Sequence, residues 1–510
     1  MEVLPLQQLE TTLPSVGVKR LRAALVRSER GFNKDLRTPL YDSQDREDII
    51  DVLESELGPC SVDEIAELDE KEKEKIGPFS IMLPFAERRE GVEAYWSQSF
   101  NPDEALFSNA VSIVKSLIPP HSLRVASLST AFDLMPKDTS LGLPWLTRDK
   151  DLANEYLRRA SQLNSATELY PAVLYWRGQP KGLDAIPKQR VVWGFDHAET
   201  IYGAQVLYPV LNVLRQLRGF SAWLGDVYVD EEMTSILNDT RGAQVLSMDY
   251  SAFDSSLSCN MIIAAGEILK SWFSPDAEPI INLLVQSLCT TALVTPAGVF
   301  TGRNGGMPSG SVLTNLVDTL CNLIAGHYSA LRNGTSIRRF AVLGDDSVYV
   351  YGGDVDASSV SSAVSELGLE SNPDKQMWSD HSLHYLQRIH TITYKRSGLC
   401  VGVRSPYRAL SGLTGYERMR TGWNKYMDSA RWIMQVENCK HYPNFRSLVR
   451  FLKEGDDVLR SGISPKEIFA RAGGADVVRS VLNIASFPFN VQNPERVRFF
   501  ETTRVLMDMH

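Results

Sequence analysis

Residues 338–352 read RRFAVLGDDSVYVYG, two runs rich in β-branched and aromatic residues around Gly344-Asp345-Asp346. A Gly-Asp pair between such runs predicts a tight hairpin, because a primed turn needs positive φ and these residues tolerate it. The hairpin would push two adjacent carboxylates out of the sheet at its tip. Packing gains nothing from that arrangement. A divalent cation does, since Mg²⁺ takes oxygen ligands from one or two carboxylates plus substrate phosphates. The tripeptide alone is weak evidence, because Gly455-Asp456-Asp457 repeats it in FLKEGDDVLR. That copy lies between charged, helix-like segments and reads as a surface turn.

Upstream, residues 244–254 read QVLSMDYSAFD. An apolar run ends at Asp249, where a carboxylate from a second strand can meet it. Asp254 follows about a turn later. The plain alternative is a helix cap at Asp254, Ser255 or Ser256. A helix rich in Ile262, Ile263, Ile268, Leu269 and Trp272 follows, and Pro275 closes it. LVTPAGVFT, 293–301, reads as a small hairpin. The chain then enters GRNGGMPSG, 302–310, a glycine-rich loop that runs into a predicted helix over 312–331. Leu313, Leu316, Val317, Leu320 and Ile324 form its apolar stripe. Thr314, Asn315, Asp318 and Asn322 fall together on the other side. The loop can bring backbone N–H groups to a phosphate or sugar, or simply be a turn capped by Ser309 or Ser311 with the polar stripe facing water.

WRGQPKGLDAIPKQR, 176–190, carries Arg177, Lys181, Lys188 and Arg190 against Asp184 alone. Two prolines and two glycines predict an extended loop rather than a helix. It is either a solvated basic loop or a cationic arm for a triphosphate or RNA backbone. Residues 138–145, DTSLGLPW, are a turn-rich connection. Beyond the hairpin, 358–369 reads as a helix and 371–375 as a turn ending in Lys375. Thr391–394 and 401–403 read as short strands, and 404–510 as mainly helical. Arg418, Arg420, Lys425 and Arg431, interleaved with Tyr416, Trp423, Tyr426 and Trp432, line a nucleic-acid groove or an amphipathic bundle surface.

A chain of 510 residues is long enough for several subdomains and a large core. No apolar run is long enough to span a bilayer, and the Met1-Glu2 start lacks a secretory pattern, so work in cytosol or inside a particle assembled there is expected. The six cysteines are scattered without a C-x-x-C pair, which argues against zinc and for free thiols in a reducing compartment. The net charge of −9 counts against coating nucleic acid non-specifically, though not against a local basic channel. DEIAELDEKEKEK, 63–75, reads as a solvated helix or linker. Residues 1–120 carry no chemical signature and are expected to pack as an extension on the body.

Taken in order, the basic loop, Asp249 with Asp254, the Ser-Gly loop entering a helix, and the GDD hairpin resemble the motifs of viral RNA-dependent RNA polymerases. GMPSGSVLTNLVD with GDDS looks most like the enzymes of small double-stranded RNA viruses of the picobirnavirus and partitivirus type. The resemblance covers about residues 139–395. It implies an α+β, right-hand fold of fingers, palm and thumb, the palm an antiparallel sheet backed by helices and the thumb mainly helical. The implied boundaries are an N-terminal extension to 120, fingers 121–240 and 261–305, palm 241–260 and 306–395, and thumb with tail 396–510.

The implied activity is template-directed RNA synthesis from NTPs by two-metal nucleotidyl transfer. Asp249, Asp345 and Asp346 match the carboxylates for two Mg²⁺ ions, with Mn²⁺ as a substitute. Asp254, Ser309, Thr314 and Asn315 match the ribose-sensing group, though many relatives carry Asn where Asp318 stands. Arg190, Lys188 and Lys181 match the triphosphate-binding motif, and Lys375 the lysine that protonates pyrophosphate. Ser140, Arg177, Gly310 and Arg388 fall where relatives contact RNA. The implied partners are template and product RNA, NTPs and a viral capsid protein, with no membrane, in the virion interior or host cytoplasm. A reverse transcriptase on the same palm is the alternative; Asp254 argues against it, since such enzymes usually place a bulky side chain there. A non-catalytic RNA-binding or particle-organising protein is the third reading, and the intact pair Asp249 and Asp345 argues against that.

Overall fold

The computed structural model describes residues 1–135, 140–240, 242–418, 422–473 and 499–509, without the side chains of Lys150 and Lys375. Its strands are β1 (Glu2–Leu4), β2 (Ala172–Gln179), β3 (Lys188–Gly194), β4 (Val245–Met248), β5 (Tyr250–Ser251), β6 (Leu293–Thr295), β7 (Gly298–Thr301), β8 (Ile337–Leu343), β9 (Asp346–Tyr351), β10 (Glu370–Ser371), β11 (Met377–Ser379), β12 (Ser382–Tyr385) and β13 (Arg388–Thr391).

The expected hairpin is β8–β9. Leu343 pairs with Asp346, leaving Gly344-Asp345 as a two-residue turn. Gly344 takes φ 60° while Asp345 stays at negative φ, the sign pattern of a type II′ turn. β9 also pairs with β4, Met248 opposite Ser347. One step further along that ladder, Asp249 comes level with Asp346. The sheet order is β11-β4-β9-β8, all antiparallel. Beyond Asp249 the chain pairs through β5 with β10, Tyr250 opposite Ser371. The turn Pro373–Lys375 therefore lies between the strands that flank Asp249 on their outer side.

The Thr314–Arg332 helix backs this sheet. It is buried almost all round, with only Asn315 and its last two residues outside the core. Apart from the exposed Asn315 the polar stripe is buried, and Asn322 reaches the hairpin. Aliphatic residues on its other side, Leu313, Leu316, Val317, Leu320 and Ile324, join a core shared with the helices Glu104–Lys115, Cys259–Trp272 and Glu278–Thr290.

A second sheet has the order β1-β7-β6-β2-β3. It corrects the reading of 176–190 as a loop. β2 and β3 form a regular hairpin from Val173↔Gly194 to Gln179↔Lys188, with Arg177 opposite Arg190. Apolar and aromatic residues on both strands favour the ladder, and the prolines at 180 and 187 lie just outside it. The first strand of the chain completes this sheet against β7.

The N-terminal region also packs against the C-terminal helices. The helices Arg46–Leu57 and Asp63–Lys73 share a core with the C-terminal helices Pro406–Thr414, Lys425–Glu437 and Phe445–Gly455. The 63–73 helix is thus not solvated on all sides. Asp69 is buried and accepts from Ser405 Oγ and Tyr442 Oη, and Glu72 accepts from Arg408.

Three further expectations change. The 382–403 region is a β12–β13 hairpin turning through Leu386 and Gln387 at positive φ, and Val403 makes only a bridge to Ile389. Gly455-Asp456-Asp457 does join two helices, but Asp456 is buried. It caps the Asp457–Arg460 helix through Val458 N and accepts from Ser429 Oγ at 2.5 Å. Arg431 and Trp432 are interior residues whose side chains donate to carbonyls of 412–415, so they line no groove. Arg420 lies outside the described residues. Among the described residues no helix is long and apolar enough to cross a membrane.

Candidate active site

The tip of the β8–β9 hairpin is held from behind by the polar face of the Thr314–Arg332 helix. Thr319 Oγ1 accepts from Gly344 N at 2.8 Å. Asn322 Nδ2 donates to Gly344 O at 2.9 Å and to Asp345 O at 3.0 Å. Its Oδ1 accepts from Tyr349 Oη at 2.9 Å and Tyr250 Oη at 3.3 Å. Both turn peptides are therefore fixed while the carboxylates point away. Thr319 escaped the sequence reading. Its only signal was a hydroxyl one helical step from the polar stripe.

Asp249 and Asp345 are exposed, and Asp346 is half-buried. The Asp346 carboxyl is pushed up to about 7, first by burial, then by Asp345, and also by Asp249. Three carboxylates thus feel one another at the sheet end. Among the described residues no three His, Cys, Asp or Glu side chains form a finished metal cage. The donor set nevertheless fits Mg²⁺, which commonly takes one or two carboxylates and completes its shell with water and phosphate oxygens.

Asp254 is not a cap of the long helix that follows; Ser258 fills that role by accepting from Met261 N. Asp254 sits in a short helical turn, Phe253–Ser256, and its carbonyl accepts from Met307 N at 2.6 Å. Its carboxyl is raised to about 6 by burial and by Asp345, against the pull of Arg190 and a hydrogen bond from Asp318. Asp318 is buried, and its pKa is driven well upward by the same burial and by Asp254. Two carboxyls in contact at such a site cannot both ionise, so Asp318 holds the proton and donates to Asp254. Asp318 Oδ1 is buried without a hydrogen-bond partner.

The glycine-rich loop is wedged against β3. Ser309 Oγ donates to Val191 O at 3.3 Å. A Cβ on Gly310 would lie 1.6 Å from Trp193 O, so only glycine fits. Thr314 Oγ1 donates to Pro308 O. Asn315 is exposed, close to Gly344. Ser311 donates to Glu199 of the His197–Leu214 helix, whose fully buried carboxyl is raised to about 8 by desolvation. A neutral Glu199 is thus a second residue that sequence reasoning missed.

Arg190 is exposed on β3, and its charge reaches both Asp254 and Asp346. Beside it is a cavity of about 180 Å³ lined by Arg177, Arg190, Arg404, Arg408 and Lys75, with Glu72 the single acidic residue of its described lining. Lys188 is exposed at the end of β3 and Lys181 in the hairpin loop, and neither lines the cavity. Ser140 is exposed and lies beside the Tyr175 hydroxyl; Thr139 lies outside the described residues. Lys375 has a described backbone turn only. Arg388 is buried on β13, where its charge acts on Asp226 and Asp230.

The model of the viral RNA-dependent RNA polymerase family matches residues 106–459. The chain belongs to that family. The polymerase is 31% identical over 460 residues to the potential RNA-dependent RNA polymerase of a human picobirnavirus, covering 86% of this chain and 85% of the relative. It is 26% identical over 292 residues to the RNA-directed RNA polymerase of Cryptosporidium parvum virus 1, covering 51% and 53%. The crystal structure of a human picobirnavirus RNA-dependent RNA polymerase superposes with a TM-score of 0.81, at 26% identity, over 96% of this chain and 97% of that one. The fold is the right-hand polymerase fold, and the polymerase makes RNA on an RNA template from NTPs.

Proposed function

We propose that Asp249 and Asp345, with Asp346 beside them, are the metal carboxylates of this polymerase and that its ions are Mg²⁺. The observation that carries this reading is the crowding of Asp346 by Asp345 and Asp249 at one sheet end, an acidic cluster that a cation relieves. When bound, two such ions activate a 3′-hydroxyl and neutralise the departing pyrophosphate. Arg190, facing the carboxylates from β3, holds the triphosphate, with Lys188 and Lys181 drawing it in. Asp254 accepts from the ribose 2′-hydroxyl, the group by which RNA precursors differ from DNA precursors. Asp318 keeps Asp254 in place, and Ser309, Gly310, Thr314 and Asn315 shape the wall beside the sugar. Lys375 protonates the leaving pyrophosphate. Ser140 and Arg177 contact template RNA.

In this reading 121–240 and 261–305 are fingers, 241–260 and 306–395 the palm, and 396–510 the thumb. Residues 1–120 tie fingers to thumb, since β1 joins the fingers sheet and the 46–57 and 63–73 helices join the thumb core. The polymerase works inside a virion beside a capsid protein, copying duplex to plus strand and plus strand to duplex. Template-directed NTP incorporation by the purified chain tests the assignment. Asp249→Ala and Asp345→Ala should each abolish it; activity that persists in both would defeat the carboxylate assignment.

A further inference from the structure

Outside the carboxylate site, two of the scattered cysteines meet. Cys259 opens the Cys259–Trp272 helix, and Cys289 is next to last in the Glu278–Thr290 helix packed against it. Their Sγ atoms lie 2.8 Å apart. Both are free thiols; Cys289 is buried and Cys259 is partly open to solvent.

Their surroundings favour a negative charge. Arg303 is 2% exposed. Its guanidinium donates to the carbonyls of Thr291, Gly305, Gly306 and Ser287 and stacks on Trp193, 4.9 Å from the ring centroid. Its hydrogen-bond acceptors among the described residues are all neutral backbone carbonyls. The ionisable groups that feel its charge are Cys289, Tyr95 and Cys259, and the two sulfurs are the pair in contact. A proton shared between them belongs on the sulfur that is costlier to charge, the buried one. Cys259 is accordingly held below its ordinary value, first by its hydrogen bond with Cys289 and then by Arg303, against burial. Cys289 is pushed far up by the same bond and by burial. An accessible, acidified thiol beside a resolving thiol is the arrangement that senses oxidants in reducing compartments.

We propose that Cys259 and Cys289 form a redox modification site, closed to a reversible disulfide by hydroperoxides. The Cys259 thiolate attacks the terminal peroxide oxygen; the O–O bond breaks, hydroxide leaves from hydrogen peroxide or alkoxide from an organic hydroperoxide, and Cys259 becomes a sulfenic acid. Cys289 sulfur then attacks the Cys259 sulfur while its proton goes to the departing hydroxyl, the S–O bond breaks, and water leaves. Two thiol sulfurs are oxidised by two electrons in total, and the peroxide is reduced. Closing the bond shortens the sulfur separation by about 0.8 Å, to the disulfide length.

That change falls on the root of the glycine-rich loop. Gly305 N donates to Cys289 O, Ser258 bridges Gly305, Gly306 N donates to Leu257 O, and Met307 N donates to Asp254 O. Oxidation therefore reaches the strap that positions Asp254 and Ser309, and it slows nucleotide incorporation.

The test uses the full-length chain and hydrogen peroxide. Peptide mass spectrometry should show a Cys259–Cys289 cross-link, with Cys259 the thiol alkylated fastest before oxidation. Incorporation should fall severalfold on oxidation and return with dithiothreitol. Cys259→Ser should keep the unoxidised activity and lose the peroxide response. Absence of the cross-link while other cysteines oxidise would overturn the proposal, and so would an equal peroxide response in Cys259→Ser. The cross-link is read without reference to catalysis, so its failure is distinct from a failure of the carboxylate assignment.

Discussion

Asn322→Ala puts the positioning of the proposed catalytic tip to a quantitative test. In the structure one amide serves four partners: Gly344 O, Asp345 O, Tyr250 Oη and Tyr349 Oη. Tyr349 Oη retains the backbone carbonyl of residue 322 at 2.8 Å, so three bonds are lost outright. At about 1 kcal/mol net for each, the loss is about 3 kcal/mol. Gly344 O and Tyr250 Oη are then left buried without partners, which raises the cost to about 4–6 kcal/mol. The same substitution frees the peptide that carries Asp345. A displacement of about 1 Å at a reacting centre costs about 10²-fold in rate.

The assay pairs urea unfolding with template-directed incorporation at saturating NTP, at a temperature where the variant stays folded. Asp345→Asn is the contrast: incorporation lost, unfolding midpoint nearly unchanged. A stability loss under about 1 kcal/mol with activity kept within a few-fold would show that the amide does not hold the tip.

Four other outcomes are expected. Replacing the proton-holding carboxyl, Asp318→Asn, keeps the donor to Asp254 but removes a titration. Because the folded pKa is raised, the folded state holds a proton that the unfolded chain releases above about pH 4, so wild-type stability falls as pH rises from there. The variant's unfolding free energy should fall less steeply by up to about 1.4 kcal/mol per pH unit, and parallel pH profiles would refute the shared proton. Asp346, pushed up to about 7, must lose its proton to take part in cation binding. Apparent Mg²⁺ affinity should thus weaken as pH falls below about 7 and level off above it, measured by incorporation against Mg²⁺ concentration. Gly310→Ala forces a Cβ onto Trp193 O and should cost about 3 kcal/mol or more in unfolding, along with incorporation. Asp456→Ala, in the second GDD, should lower stability by about 1–2 kcal/mol through the lost cap, leaving incorporation per folded molecule unchanged.

What could be read from the chain was local. Alternation with a Gly-Asp turn places β8–β9, because a hairpin is specified by adjacent residues. The same logic misread 176–190. Two prolines and two glycines announced a loop, while the ladder between Val173 and Gly194 depends on pairing across the turn and against β6. The two GDD copies show the same limit. Flanking strands separated the catalytic candidate from the helix junction, yet no local signal told that Asp456 would be buried under Ser429, 27 residues away.

The site was legible as residue types and illegible as charge states. Asp249, Asp254 and Asp345 stand out as carboxylates at strand ends and turns. Whether each is ionised depends on neighbours brought from β3, β9 and the Thr314–Arg332 helix. The polar stripe of that helix shows the difference most clearly. On an isolated helix, Thr314, Asn315, Asp318 and Asn322 read equally well as a wet face. Buried, the stripe has a strict division of labour: Asn322 gives two donors to the turn peptides, and Asp318 gives one proton to Asp254. An amide at 322 can donate at any pH, whereas a carboxyl at 318 donates only while protonated. The tip that would carry the metal is therefore held by a pH-independent contact, and Asp254, the proposed sugar-sensing residue, by a pH-dependent one. Raising pH should thus relax selection of the nucleotide sugar before it disturbs the carboxylate tip.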